Sequence, residues 1–351
     1  MKSYFRSEIE KMDGYTPGEQ PKMADLVKLN TNENPYPPSP AVQKALKNFD
    51  AAHLRRYPDP ASDALREAVA RRNGLAKEQV ICGNGSDDLL TMVFRCFTAP
   101  DRPMAMLYPS YSLYAELAAM QNAPVIRIPL TPETFALPEN LLELAKPANL
   151  LMLTRPNAPT GNTFPCERIR EICRNFDGIV VIDEAYADFA EDNCLALAGE
   201  FANVVVMRTF SKSYALAGLR LGYAVADKKI IAGMMKVKDS YNVDRLAQEL
   251  GLAAYLDEEY FRNRRDDVIR ERERLSEELR RLDFRVVPSA ANFIFASPPD
   301  ADGERCFRAL RQQAIIVRYF PAPPTASYVR ITVGTPQEND RLLAALKRLY
   351  A

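Results

Sequence analysis

Residues 204–226 read VVVMRTFSKSYALAGLRLGYAVA. Both ends are apolar and the middle is rich in hydroxyls, a pattern that predicts strand, loop, strand. Val204–Met207 is apolar without alternation, and so is IVVI at 179–182. Strands buried on both faces read this way, as in a mostly parallel sheet covered by helices on either side. The loop places Lys212 directly after the first strand. A lone lysine is most often a solvated surface charge. Here Thr209 and Ser211 add hydroxyls and Arg220 adds a guanidinium, a set that suits a phosphate group. A lysine beside such a site suits a cofactor that carries a phosphate and forms a Schiff base.

The alternation of helix and strand continues from about residue 60 to 240. DALREAVARRNG (63–74) predicts a helix closed by Gly74. VICGNGSDDLLTMVFRCF (80–97) and RPMAMLYPSYSLYAELAAM (102–120) each predict strand, turn and helix. Strands alternating with helices give an α/β domain, with a mostly parallel sheet and helices on both faces. After residue 244 the texture changes: a long charged helix at 257–282 precedes the strand-like FRVVP, NFIFA, AIIVRYF and SYVRITVG. The expected organisation is an arm at 1–45, a large domain at 46–243 and a smaller α+β domain at 244–351. The prolines of TNENPYPPSP (31–40) exclude regular structure from that stretch of the arm. Apolar residues interleave the arm, so it is expected to pack on the small domain or on a partner subunit.

Length and composition narrow the function classes. A chain of 351 residues suits two domains. Lys plus Arg and Asp plus Glu both number 46, so the net charge is zero and neither a nucleic acid nor an anionic membrane is an expected partner. No apolar run is long enough to span a bilayer, and MKSYFRSEIEKMDGY carries charges where a signal peptide is apolar. A cytoplasmic location is expected. None of the six cysteines forms a C-x-x-C pair, so free thiols are expected rather than a disulfide or metal framework. His53 is the only histidine, which excludes a multi-histidine metal centre. No metal is expected, and the chemistry falls to Lys, Asp, Tyr, Arg or a cofactor.

Three further motifs bear on that chemistry. In VIDEAYADF, Asp183 ends an apolar strand, where a carboxylate is costly unless paired. It is either a structural ion pair or helix cap, or a carboxylate that keeps a pyridine nitrogen protonated, with Tyr186 beside the ring's phenolate oxygen. GNGSDD (83–88) follows a strand and opens a helix, so its N–H groups would face an anion. It lacks the third glycine of a dinucleotide site. In YPSYSLY, Tyr111 either packs in the core or stacks on a ring.

Taken together, these residues resemble the class I/II aminotransferases of pyridoxal-phosphate (PLP) fold type I, most closely the branch that acts on histidinol phosphate. The resemblance runs nearly end to end, from YTPGEQ, KLNTNENPYPPSP and RRYPDP to RPNAPTGN, RTFSKSYALAGLRLGY, NFIF, IIVRYF and RITVGT. It implies Lys212 as the covalent anchor of PLP and the proton carrier, Asp183 on the ring nitrogen, Tyr186 on the phenolate oxygen and Tyr111 stacked on the ring. It implies Ser86, Asp87, Thr209, Ser211 and Arg220 around the phosphate, with Tyr57 reaching the neighbouring subunit's cofactor in a homodimer. Arg330 and Arg318 become substrate-anion arginines, and Tyr15 a residue closing the pocket. The implied substrates are L-histidinol phosphate and 2-oxoglutarate or glutamate. An aromatic aminotransferase, a threonine-phosphate decarboxylase and a non-enzymatic PLP-sensing regulator are the competing readings. One position departs from the pattern: Ala158 stands where the family has Asn before P-T-G, with Asn157 one place earlier. Either Asn157 reaches the phenolate oxygen or Tyr186 serves it alone.

Overall fold

The computed structural model describes residues 3–350. Its strands are β1 (Val27–Lys28), β2 (Val80–Gly83), β3 (Met104–Tyr108), β4 (Val125–Pro129), β5 (Leu150–Thr154), β6 (Ile179–Asp183), β7 (Val204–Thr209) and β8 (Gly222–Ala226), then β9 (Arg285–Val287), β10 (Phe293–Ser297), β11 (Ile315–Ile316), β12 (Arg318–Tyr319) and β13 (Val329–Thr332). Seven of them form one sheet in the order β2-β8-β7-β6-β5-β3-β4. Every pairing in it is parallel except those of β8, which runs antiparallel to both β2 and β7.

The unbroken apolar runs follow from this layering. Alternate strand residues point to opposite faces, and here both faces are dry. Leu151, Leu153, Val180, Ile182, Val204 and Val206 join one core cluster. Their neighbours Leu150, Met152, Val181, Val205 and Met207 join a second cluster, under the helix Ser86–Phe97.

A four-stranded antiparallel sheet, β12-β13-β10-β9, forms the smaller unit with the 24-residue charged helix Glu258–Arg281. The N-terminal segment is tied to it: β1 pairs in parallel with β11. The last proline of TNENPYPPSP starts a helix rather than breaking one. Pro40 is the first residue of the helix Pro40–Asn48, where its missing N–H costs nothing, and Ser39 accepts from the Val42 N–H as the cap. The helix Arg245–Leu256 packs against Pro40–Asn48 and Asp63–Arg72, on the large-sheet side of the molecule. Among the described residues, no helix is long and apolar enough to cross a membrane.

Candidate active site

Parallel strands bring their carboxyl ends to one edge of the sheet, where the chain turns into loops that a ligand can enter. Thr154, Asp183 and Thr209 lie at that edge, the first two in direct register. Gly222 begins β8 there, facing both Gly83 and Thr209. Thr209, Ser211 and Arg220 form a cradle. The Thr209 hydroxyl donates to Ser211 Oγ at 3.0 Å, and Arg220 Nη1 donates to the same oxygen at 3.4 Å. Ser86 and Asp87 open the neighbouring helix, so their N–H groups have no partner within it. Two glycines let the walls approach. Gly85 sits at φ +80°, and a Cβ there would lie 2.6 Å from Arg220 Nη2; a Cβ on Gly222 would lie 2.9 Å from the Ser86 nitrogen. Arg220 also pairs with the Asp87 carboxylate at 3.1 Å.

Lys212 stands beside the cradle. Its Nζ donates to the Thr31 carbonyl at 3.1 Å, and its own carbonyl accepts from Asn34 Nδ2 at 2.9 Å. Burial, reinforced by the nearby Arg330 guanidinium, pulls its pKa down to about 8. The ammonium has no carboxylate partner among the described residues, whereas Arg208 on the adjacent strand is held by Glu184 and Asp188.

Asp183 is 4% exposed. It accepts from the Tyr114 hydroxyl at 2.6 Å and the Ala185 N–H at 3.1 Å, and no cation pairs with it among the described residues. Tyr114 in turn meets Thr154 at 2.9 Å. Burial raises the Asp183 pKa to about 6, against the opposing pull of Tyr114 and Ala185. A buried carboxylate with this deficit suits a cationic ring nitrogen. It also fixes a sign. As pH rises from the unfolded value near 4 to about 6, the unfolded state loses a proton that the folded state keeps. The cofactor-free protein should therefore lose stability across that window, by about 3 kcal/mol for this group. Thermal unfolding of wild type and Asp183→Asn from pH 4 to 7 should show the loss in wild type only; parallel curves would refute it.

Tyr186 is buried edge-on to Phe293, with Asn32 Nδ2 donating to its hydroxyl at 2.9 Å. Because that oxygen already accepts, its proton is free for another acceptor. The alternative donor, Asn157, has both amide hydrogens engaged by the protein. One Asn157 amide hydrogen goes to the Pro109 carbonyl at 3.1 Å and the other to Thr160 Oγ1 at 2.7 Å. Ala158 beside it packs against Tyr186 and Phe293. Tyr111 meets Tyr114 edge to face at 5.5 Å, and Tyr15 from the arm meets Tyr111 at 5.9 Å.

Two arginines share one face of the small sheet. Arg318 on β12 is directly opposite Arg330 on β13, where like charges repel. Neither pairs with a carboxylate among the described residues. Arg330 Nη2 donates to the Asn30 carbonyl at 2.9 Å while its Nε is buried without a partner. Arg318 donates to the Thr16 and Pro17 carbonyls, each at 3.3 Å. Burial pulls Arg330 below the ordinary guanidinium range, and Arg318 adds to the effect. An incoming anion would relieve both. Tyr57 is 76% exposed, its ring stacked on Tyr241 at 4.3 Å.

The family model for aminotransferase class I and II matches residues 24–346. The chain belongs to this family. A histidinol-phosphate aminotransferase of Syntrophotalea carbinolica is 47% identical over 346 residues, covering 97% of this chain and 98% of the relative. Histidinol-phosphate aminotransferase 1 of Trichormus variabilis is 42% identical over 350 residues, 99% of each chain. The crystal structure of the Sinorhizobium meliloti histidinol-phosphate aminotransferase, in complex with pyridoxal-5'-phosphate, superposes with a TM-score of 0.89 at 24% identity, covering 99% of both chains. Aspartate aminotransferase of Thermus thermophilus superposes at 0.80 with 25% identity, covering 93% of this chain and 91% of that one.

In this aminotransferase, Lys212, Asp183, Tyr186, Tyr111, Ser86, Asp87, Thr209, Ser211 and Arg220 gather at the sheet edge, with Arg330, Arg318 and Tyr15 at the small-domain wall. Tyr57 lies apart from them. Sequence reasoning missed the groups that hold these in place: Tyr114 on Asp183, Asn32 on Tyr186, and Thr31 and Asn34 on the lysine loop. Tyr114 was visible three residues after Tyr111. The arm residues gave no local signal, because only the fold brings residues near 32 against residues near 186 and 212.

Proposed function

We propose that the chain is a PLP-dependent aminotransferase that exchanges an amino group between L-histidinol phosphate and 2-oxoglutarate, a step of histidine biosynthesis, in the cytoplasm. PLP, when bound, supplies a protonated pyridine ring that accepts the electron pair left at the substrate Cα. Ser86, Asp87, Thr209, Ser211 and Arg220 would hold its phosphate. Asp183 keeps the ring nitrogen protonated, and the free Tyr186 proton serves the phenolate oxygen. Lys212, with its pKa near 8, provides an amine that deprotonates readily enough to anchor the cofactor and carry a proton at Cα. The exposed Tyr57 ring supports a homodimer in which each chain completes its partner's site.

The opposed Arg318 and Arg330 carry the substrate reading. Glutamate offers an α-carboxylate to Arg330; histidinol phosphate has none and brings a phosphate of about −1.5 to −2 instead. Two guanidiniums on one sheet face suit that doubled charge. Arg318→Met should therefore lower kcat/KM for histidinol phosphate by about 30-fold or more, and that for phenylalanine far less. Equal losses would show that Arg318 does not read the phosphate. A wild-type enzyme that ignores histidinol phosphate, while accepting phenylalanine or threonine phosphate, would overturn the reading.

A further inference from the structure

Two thiols that the proposed reaction does not use lie against each other. Cys166 is the first residue of the helix Cys166–Asn175, and Cys194 lies 28 positions further on, just before the helix Leu197–Glu200. Their Sγ atoms are 3.3 Å apart, within van der Waals contact and about 1.3 Å from disulfide length. The contact is held from both sides. The Cys194 N–H donates to Glu184, its carbonyl accepts from the Leu197 N–H at 3.0 Å, and the Pro165 carbonyl accepts the Arg168 N–H at 3.0 Å in the first turn below Cys166. Exposure is unequal: Cys166 is partly open to solvent and Cys194 is buried. A reachable thiol in contact with a protected one is the arrangement of an attacking and a resolving cysteine.

We propose that Cys166 and Cys194 form a reversible disulfide when the protein meets a hydroperoxide. The Cys166 thiol gives up its proton, its sulfur attacks one peroxide oxygen, the O–O bond breaks, and the departing hydroxide takes the electron pair and that proton to leave as water. The Cys194 sulfur then loses its proton and attacks the Cys166 sulfur; the S–O bond breaks and water leaves. Two thiols and one hydrogen peroxide become one disulfide and two waters. A dithiol reverses the step by exchange. The bond would tie the start of one helix to a segment whose backbone holds Glu184, and through it Arg208, Asp188 and the Ser213 hydroxyl beside Lys212. Closing a loop of this length also narrows the unfolded ensemble. The other cysteine of the same helix, Cys173, is two turns along and about 10 Å away on the axis, so it cannot substitute.

The test treats the enzyme, with its cofactor bound, with stoichiometric hydrogen peroxide. Intact mass should fall by two hydrogens, non-reducing peptide maps should join the Cys166 and Cys194 peptides, and the unfolding temperature should rise by a few degrees and return with dithiothreitol. Cys166→Ser should abolish the mass loss and leave Cys194 unmodified. Should that variant misfold, the wild-type peptide map alone decides. Gain of oxygen at Cys166 without a cross-link, a cross-link through Cys173, or unchanged mass would each overturn the proposal.

Discussion

Lys212→Ala is expected to fold, to keep the oligomeric state of wild type, and to lose turnover by about 10⁴-fold or more, the upper range for a positioned proton-transfer group. Folding should survive because the lysine contributes little to it. Its ammonium donates to one carbonyl, that of Thr31, and burial holds its pKa below the ordinary lysine value. A base with a depressed folded pKa destabilises the native state wherever it is charged, so alanine removes a cost along with a hydrogen bond. The cofactor-free variant should then unfold at no lower temperature than wild type at pH 7. Borohydride treatment of the PLP-loaded wild type should fix the cofactor on the peptide that holds Lys212. Label on any other lysine would remove the assignment. Mixing Lys212→Ala with Tyr57→Phe extends the test to the dimer. If Tyr57 serves the partner's site, one site of the mixed dimer carries both lesions and the other neither, and activity returns. No recovery above either parent would place Tyr57 outside the partner's site.

Asp183→Asn should keep the fold and the cofactor but lose turnover by about 10²–10³-fold, as when a group facing developing charge is neutralised. An amide can hydrogen-bond the ring nitrogen but cannot keep it protonated. Folding is not at risk: Asp183 is buried without a cation partner, so the neutral residue is easier to bury. Tyr114→Phe is the graded control. It removes the 2.6 Å donor while leaving the carboxylate, and its loss should be smaller. Turnover near wild type in Asp183→Asn would end this role for the carboxylate.

The parts legible in the sequence were those written locally. Unbroken apolar strands such as IVVI foretold a sheet covered on both faces, and Lys212, Asp183 and Arg220 stood out as polar groups at the ends of those strands. The antiparallel course of β8 was hidden, because twelve residues of loop between β7 and β8 allow either direction. So was the helix at Pro40, where a proline that looked like a breaker acts as a first residue. The bonding of Asn157 was hidden too, because only the path of the Pro109 backbone shows where one of its amide hydrogens goes. The thiol pair was illegible for the same reason: 28 positions separate its members, and no spacing rule joins them.

The spread of the site along the chain has a consequence for how the enzyme is born. The cradle needs Ser86 from the start of a helix and Arg220 from the loop before β8, the lysine is held by Thr31, and Arg330 closes the wall. No stretch emerging early from the ribosome contains enough of these to grip a phosphate, and pairings between such distant segments form late. Held as proposed, PLP would therefore find its site only once the fold is complete. It stabilises only the finished native state, in proportion to its free concentration. Cells short of it would accumulate a complete, folded but less durable protein rather than an arrested one.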